Sequence, residues 1–223
     1  YKGGEYAYKR PYADDDAINE LGELDKLGKF NHPNILKLVD FTIFDTQLGM
    51  IIPLAKYDLL VATSINRNFP FIDTWIYQLF SAIFFLHKNG YYHCDIKPEN
   101  VLIDMNDNIL LSDLGMVNKV DIMSQVCQSI SSPQIHYKKT HVVRNDWDTL
   151  PSNEIQDDIF ALGYTVCKMI IRFYNLNEFL DHTPEGIASF CKDRLNILIQ
   201  NGVPDKYVGI IEKLMNPIPK DRG

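Results

Sequence analysis

The sequence predicts an α+β fold, with a small β-rich lobe followed by a larger helical lobe. Three observations predict it. Short runs of strand character crowd the first third, helical periodicity takes over from Phe71, and 223 residues with 46% hydrophobic content supply ample apolar material for a core. The division is expected near Pro53–Tyr57, with lobes over 1–54 and 55–223.

In chain order, Glu5–Arg10 alternates around Tyr6 and Tyr8 and ends at Pro11, the pattern of a short strand. Asp14, Asp15 and Asp16 then offer N-cap and first-turn acids, favourable at the positive end of a helix dipole. Ile18, Leu21, Leu24 and Leu27 follow as the apolar stripe of that helix. Two β-rich runs come next, Ile35–Thr42 and Leu48–Leu54, separated by polar Asp45–Thr46–Gln47. Trp75, Ile76, Leu79, Phe80, Ile83, Phe84 and Leu86 line a long helix that stops at Asn89–Gly90, a good C-terminal cap. Val101–Asp104 and Asn108–Leu111 read as a hairpin. Mostly loop is expected from there to Gln156, then helices over about 158–173, 184–200 and 205–215.

With 23% charged and 12% aromatic residues the composition is ordinarily globular, which excludes a disordered tail, a collagen and a low-complexity segment. Twenty-two Lys+Arg against 29 Asp+Glu give a formal charge of −7, which argues against nucleic acid or an anionic membrane as partner. The four cysteines, Cys94, Cys127, Cys167 and Cys191, form no C-x-x-C pair. A reducing, cytoplasmic compartment is therefore expected rather than a disulfide framework or a zinc site. The chain opens YKGGEYAYKR without an apolar leader, and the greasiest stretch, Ile159–Ile171, is too short for a bilayer and contains Lys168. A soluble protein is the expectation.

Chemistry concentrates in Tyr92-His93-Cys94-Asp95-Ile96-Lys97-Pro98-Glu99-Asn100, which places a carboxylate, an ammonium and an amide within six residues of a loop. Ser112-Asp113-Leu114-Gly115 adds an acidic turn after the next strand. Asn100 and Asp113 make an all-oxygen pair of the type Mg²⁺ prefers.

At these residues the sequence resembles the eukaryotic protein kinase family. His93-x-Asp95-x-Lys97-Pro98-Glu99-Asn100 is similar to its catalytic loop and Asp113-Leu114-Gly115 to its DFG turn. Six fixed residues give a chance match on the order of 10⁻⁶ to 10⁻⁵ in such a chain. Tyr6-Ala7-Tyr8-Lys9 resembles the VAIK strand, although a strand-end lysine taken alone reads as a solvated charge. Glu23 aligns with the glutamate of helix C, counted back from Asn31-His32-Pro33-Asn34-Ile35, with Glu20 the competing choice. Asp158-Ile159-Phe160-Ala161-Leu162-Gly163 resembles the helix that supports the catalytic loop, and Ser132-Pro133-Gln134 the end of the activation segment, whose glutamate Arg222 would pair.

The resemblance implies a two-lobed kinase-like fold and transfer of the ATP γ-phosphate to protein hydroxyls, with Mg²⁺. Lys97 two places after Asp95 resembles the serine/threonine type. On this pattern Lys9 would hold the α- and β-phosphates and Glu23 would hold Lys9. Asp113 would bind the metal that bridges the phosphates and Asn100 a second metal, Asp95 would orient the substrate hydroxyl and accept its proton, and Lys97 would balance γ-phosphate charge. Ala7 and Leu102 would sandwich adenine, Ile52 would be the gatekeeper and Pro53–Ala55 the hinge. Asp58 would reach the ribose or cap the next helix. Leu38, Leu27, Leu114 and His93 would form an apolar stack between the lobes. A non-catalytic kinase-like scaffold acting by partner binding is the alternative, though it would be free to lose any of these residues.

Four departures stand out. Only Gly3 and Gly4 precede Lys9, so the sequence is expected to begin after the family's Gly-rich loop. Cys94 replaces the arginine before the catalytic aspartate, which implies activity independent of activation-loop phosphorylation even though Ser124, Ser129 and Ser131 are present. Cys127 stands where a threonine usually contacts the catalytic aspartate. Gln134 replaces the partner of Arg222, with Asp146, Asp148 or Glu154 as substitutes. Substrate, pathway and oligomeric state have no signature in the sequence.

Overall fold

The strand character of Tyr6–Lys9 is realised as β1, which joins β2 (Asp40–Phe44) and β3 (Gln47–Pro53) in an antiparallel sheet of order β1-β3-β2. These features come from a computed structural model that describes residues 5–10, 18, 21–22, 24–25, 28, 31–44, 47–65, 71–119, 154–176 and 186–222. Residues paired across antiparallel strands share a face. Ala7 opposes Ile52 and Lys9 opposes Met50, and Met50 and Ile52 are buried. The register thus puts Lys9 on the core side of the sheet.

Two sequence expectations are corrected here. The run Ile35–Thr42 becomes a strand only from Asp40. Ile35 makes an isolated parallel bridge to Leu111 and the Leu36 N–H donates to the Leu111 carbonyl at 2.9 Å. Ile35 and Leu36 are apolar because they are buried, not because they lie in a ladder. The stripe Ile18–Leu27 does not hold as one face either. Ile18 is 60% exposed, whereas Leu24 is buried. A strict three-residue spacing loses about 60° per step on a helix, so its ends point apart. Leu27 lies outside the described residues.

After Pro53 the chain changes sheets. β4 (Ala55–Asp58) pairs with β6 (Val101–Asp104), which pairs with β7 (Ile109–Leu111) as the expected hairpin. Asp58 accepts the Val61 N–H at 2.7 Å and so caps α1 (Leu59–Ile65), the capping half of its two readings. Helix α2 (Ile72–Lys88) buries Trp75, Ile76, Leu79, Ile83 and Leu86. It ends where the Asn89 side chain donates to the Phe85 carbonyl at 2.8 Å and Gly90 takes φ 76°. Phe84, expected in the stripe, is 69% exposed, because it lies about 100° round the helix from Ile83 and Phe85.

The remaining helices are α3 (Glu154–Phe173), α4 (Gly186–Gln200) and α5 (Asp205–Leu214). α3 starts earlier than its apolar periodicity indicates, since its first turn is polar. A Cβ at Gly163 would stand 2.6 Å from the Leu214 Cβ, so glycine lets α3 and α5 approach closely. The whole is a two-lobed α+β fold. Among the described residues no helix is long and apolar enough to cross a membrane.

Candidate active site

The loop after β5 (Tyr91–Tyr92) is held from below by Asp158, on the first turns of α3. This carboxylate is 1% exposed. It accepts the His93 N–H at 2.6 Å and the Cys94 N–H at 2.9 Å, and lies 3.0 Å from His87 Nε2. A buried carboxylate so satisfied is a firm anchor. It holds Cys94 in the left-handed region, φ 66°, a costly conformation for a residue with a Cβ.

His93 has a fixed tautomer. Its Nδ1 accepts the Asp95 N–H at 3.3 Å, so its Nε2 carries the proton and donates to the Ser112 carbonyl at 3.0 Å. Burial holds its pKa below the usual 6.5, against the pull of Asp158 and the Ser112 carbonyl.

Lys97, in extended backbone, turns its ammonium onto Asp95 Oδ2 at 2.7 Å. A 3₁₀ turn over Pro98–Asn100 then brings Asn100 back to the same carboxylate. Its side-chain nitrogen donates to the Asp95 carbonyl at 2.8 Å and to Oδ2 at 2.9 Å. Both acceptors are oxygens, so the NH₂ must face them, leaving Oδ1 as the atom that could hold a metal.

Beyond β7, Asp113 adopts φ 61°, ψ 61°, and its carboxylate meets Lys9 Nζ at 3.2 Å. These two residues lie 104 positions apart. Hard oxygens from Asn100 and Asp113 suit Mg²⁺, which takes few protein ligands and completes its shell with water and phosphate. Among the described residues no cluster of three His, Cys, Asp or Glu competes as a metal site.

Of the other predicted site residues, Ile52 is buried and Ala7, Pro53, Ala55 and Leu102 are half-buried. The hinge is tied to β1, since the Leu54 N–H donates to the Glu5 carbonyl at 3.1 Å. Ala55 is already in β4, opposite Asp104. His93 and Leu114 are buried and Leu38 is half-buried. Glu23 and Glu20 lie outside the described residues, as do Gly3, Gly4, Ser124, Cys127, Ser129, Ser131, the segment Ser132–Gln134, Asp146 and Asp148. A groove of about 330 Å³, lined by Pro33, Ile35, Pro53, Leu54, Met105 and Leu110 among others, includes none of the charged residues above that converge.

Buried Arg222 donates to the carbonyls of Asn216 at 2.7 Å and Gln156 at 2.9 Å, and lies 3.8 Å from Asp157. Burial lowers its pKa and Asp157 opposes that shift. Sequence reasoning missed Asp157, and it also missed His87 and Ser112. His87 reads from sequence only as a favourable cation in the last turn of a helix.

The protein kinase domain family matches residues 2–223. A relative named "Cyclin-dependent kinase F-4" from Oryza sativa subsp. japonica is 31% identical over 169 residues, 73% of this chain and 34% of that protein. A "Probable serine/threonine-protein kinase KIN1 homolog" from Enterocytozoon bieneusi (strain H348) is 35% identical over 188 residues, 82% of this chain and 30% of that protein. "Serine/threonine-protein kinase SKS1" of Saccharomyces cerevisiae (strain ATCC 204508 / S288c) is 35% identical over 127 residues, 49% of this chain and 25% of that protein. The chain thus spans about a third or less of the length of these relatives.

Proposed function

The chain belongs to the protein kinase domain family, and from that premise we propose that its protein transfers the γ-phosphate of ATP to serine or threonine hydroxyls of protein substrates. The observation that carries this reading is the meeting of Lys9 and Asp113 at 3.2 Å across 104 positions of sequence. The related chains named serine/threonine kinases support the hydroxyl class.

Phosphoryl transfer needs positioning and charge neutralisation more than covalent chemistry. Lys9 binds the α- and β-phosphates, with Glu23 as its partner, and so releases Asp113 for metal. Asn100 Oδ1 and Asp113 hold Mg²⁺, which when bound neutralises the phosphate oxygens. Asp95 orients the substrate hydroxyl and takes its proton, while Lys97, now on Asp95, balances the charge on the transferred group. Ala7, Ile52 and Leu102 enclose adenine, and the backbone of Pro53 and Ala55 offers it hydrogen bonds. The lobes divide between Leu54 and Ala55, where the chain passes from one sheet to the other. A reducing, cytoplasmic setting fits Cys94, Cys167 and Cys191, which carry thiols. Burial pushes the Cys191 thiol up to about 12, so it stays protonated. Protein, not nucleic acid or membrane, is the partner that a net charge of −7 favours.

The test uses the natural full-length protein and a generic protein substrate with radiolabelled ATP. Asp95→Asn is expected to lower kcat by about 10²- to 10⁴-fold with nucleotide binding kept. Asp113→Ala is expected to lose both. Undiminished labelling by both variants overturns the reading.

A further inference from the structure

Asn100 reaches Asp95 with its side chain only if its own backbone is held, and the group that holds it sits one residue before Asp113. Buried Ser112 donates twice to the Asn100 carbonyl, through its N–H at 2.8 Å and its Oγ–H at 2.9 Å. The Ser112 carbonyl in turn accepts the His93 Nε2 proton at 3.0 Å. The N–H bond is available to any residue but proline. The hydroxyl is the side-chain choice, and in a buried position alanine would spare the desolvation of a polar group. Two donors on one carbonyl fix the peptide plane after Asn100. That plane aims the amide, and the next covalent neighbour of Ser112 is the other oxygen ligand.

We propose that Ser112 is a positioning residue whose hydroxyl sets Asn100 and Asp113 relative to each other, so that both engage one divalent cation held with a nucleotide. The inference rests on the kinase reading above and adds the residue that registers its two metal-ligand loops. A purely structural hydroxyl would affect stability alone. A positioning hydroxyl affects the cation dependence of nucleotide binding.

The experiment follows binding of a fluorescent ATP analogue to the full-length protein as Mg²⁺ is raised, with thermal unfolding alongside. Loss of one neutral hydrogen bond predicts a Mg²⁺ midpoint about three- to tenfold higher for Ser112→Ala, with metal-free nucleotide affinity unchanged. Ser112→Thr, which keeps the hydroxyl, is expected to restore the midpoint. Should Ser112→Ala fail to fold, Ser112→Cys, with its weaker donor, carries the same measurement and an intermediate shift is expected. An unchanged midpoint in the variant, or equal weakening with and without Mg²⁺, overturns the inference and leaves the kinase reading standing. Nucleotide binding by the unaltered protein that ignores Mg²⁺ overturns the metal part of both.

Discussion

The loop that carries Asp95, Lys97 and Asn100 and the sheet that carries Lys9 bring charge to one site by different means. In the loop the partners lie two to five positions apart and meet at 2.7 to 2.9 Å. Closing so short a segment costs little entropy, and Asp158 fixes its backbone from below. Lys9 ends a four-residue strand, its side chain is 32% exposed, and its Asp113 partner is 42% exposed at 3.2 Å. That pair joins the two lobes. On the proposed function, rigidity in the first case suits a group that holds a substrate hydroxyl in line. Looseness in the second suits, on the same proposal, a lysine that exchanges a carboxylate for phosphate.

The largest effect should come from breaking the rigid half at its anchor. Asp158→Ala leaves the buried N–H groups of His93 and Cys94 without their acceptor and frees Cys94 from the contact that sustains its φ of 66°. A loss of about 3 to 5 kcal/mol is expected in urea unfolding. Asp158→Asn keeps an oxygen acceptor and should lose clearly less. Equal stability of both variants and the parent would show that the loop holds itself.

Why one half was more legible than the other follows from the same contrast. Asp95, Lys97 and Asn100 are local, so their spacing alone marks them. Asp113 was marked by its turn. Lys9 by itself is an ordinary strand-end lysine, and only the resemblance to a family gave it a partner. His87 and Ser112 escaped because their bonds run to a residue 71 positions away and to main-chain carbonyls, which leave no pattern in side-chain order. Asp157 escaped because its partner Arg222 lies far along the chain, and a helix start can send adjacent acids to opposite tasks. Ile18 and Ile35 failed for another reason. Hydrophobicity reports burial, whereas strand pairing and helix face depend on geometry that a short apolar run does not fix.

A second, smaller effect tests the rigid half by pH. Burial holds His93 below its usual 6.5 and does the same to His32, whose Nδ1 accepts the Asn34 N–H at 3.1 Å. The unfolded chain therefore binds protons that the folded chain refuses, and stability is lost as pH falls below about 6.5 towards the folded values. The stabilisation is fully present above that pH. Each histidine contributes a slope of at most about 1.4 kcal/mol per pH unit. Urea midpoints measured from pH 8 to pH 5 should fall only on the acid side. A flat profile would mean that the bond from the Asp95 N–H to His93 Nδ1 survives protonation, which a ring nitrogen acting as acceptor does not permit.

The smallest stability effect is expected where the functional one is great. Lys9→Met removes the ammonium but keeps most of the apolar stem beside Met50 in the register. Because 32% of one side chain and 42% of the other are open to solvent, screening leaves the ion pair worth at most about 1 kcal/mol. Urea unfolding should therefore scarcely change, while binding of a fluorescent ATP analogue should weaken sharply through the lost phosphate contact. Destabilisation as large as that of Asp158→Ala would make the Lys9–Asp113 pair a structural strut. A strut cannot readily give up its carboxylate to a cation, so that result would remove the proposed exchange from Asp113 to phosphate and with it the reason for the sheet's looseness.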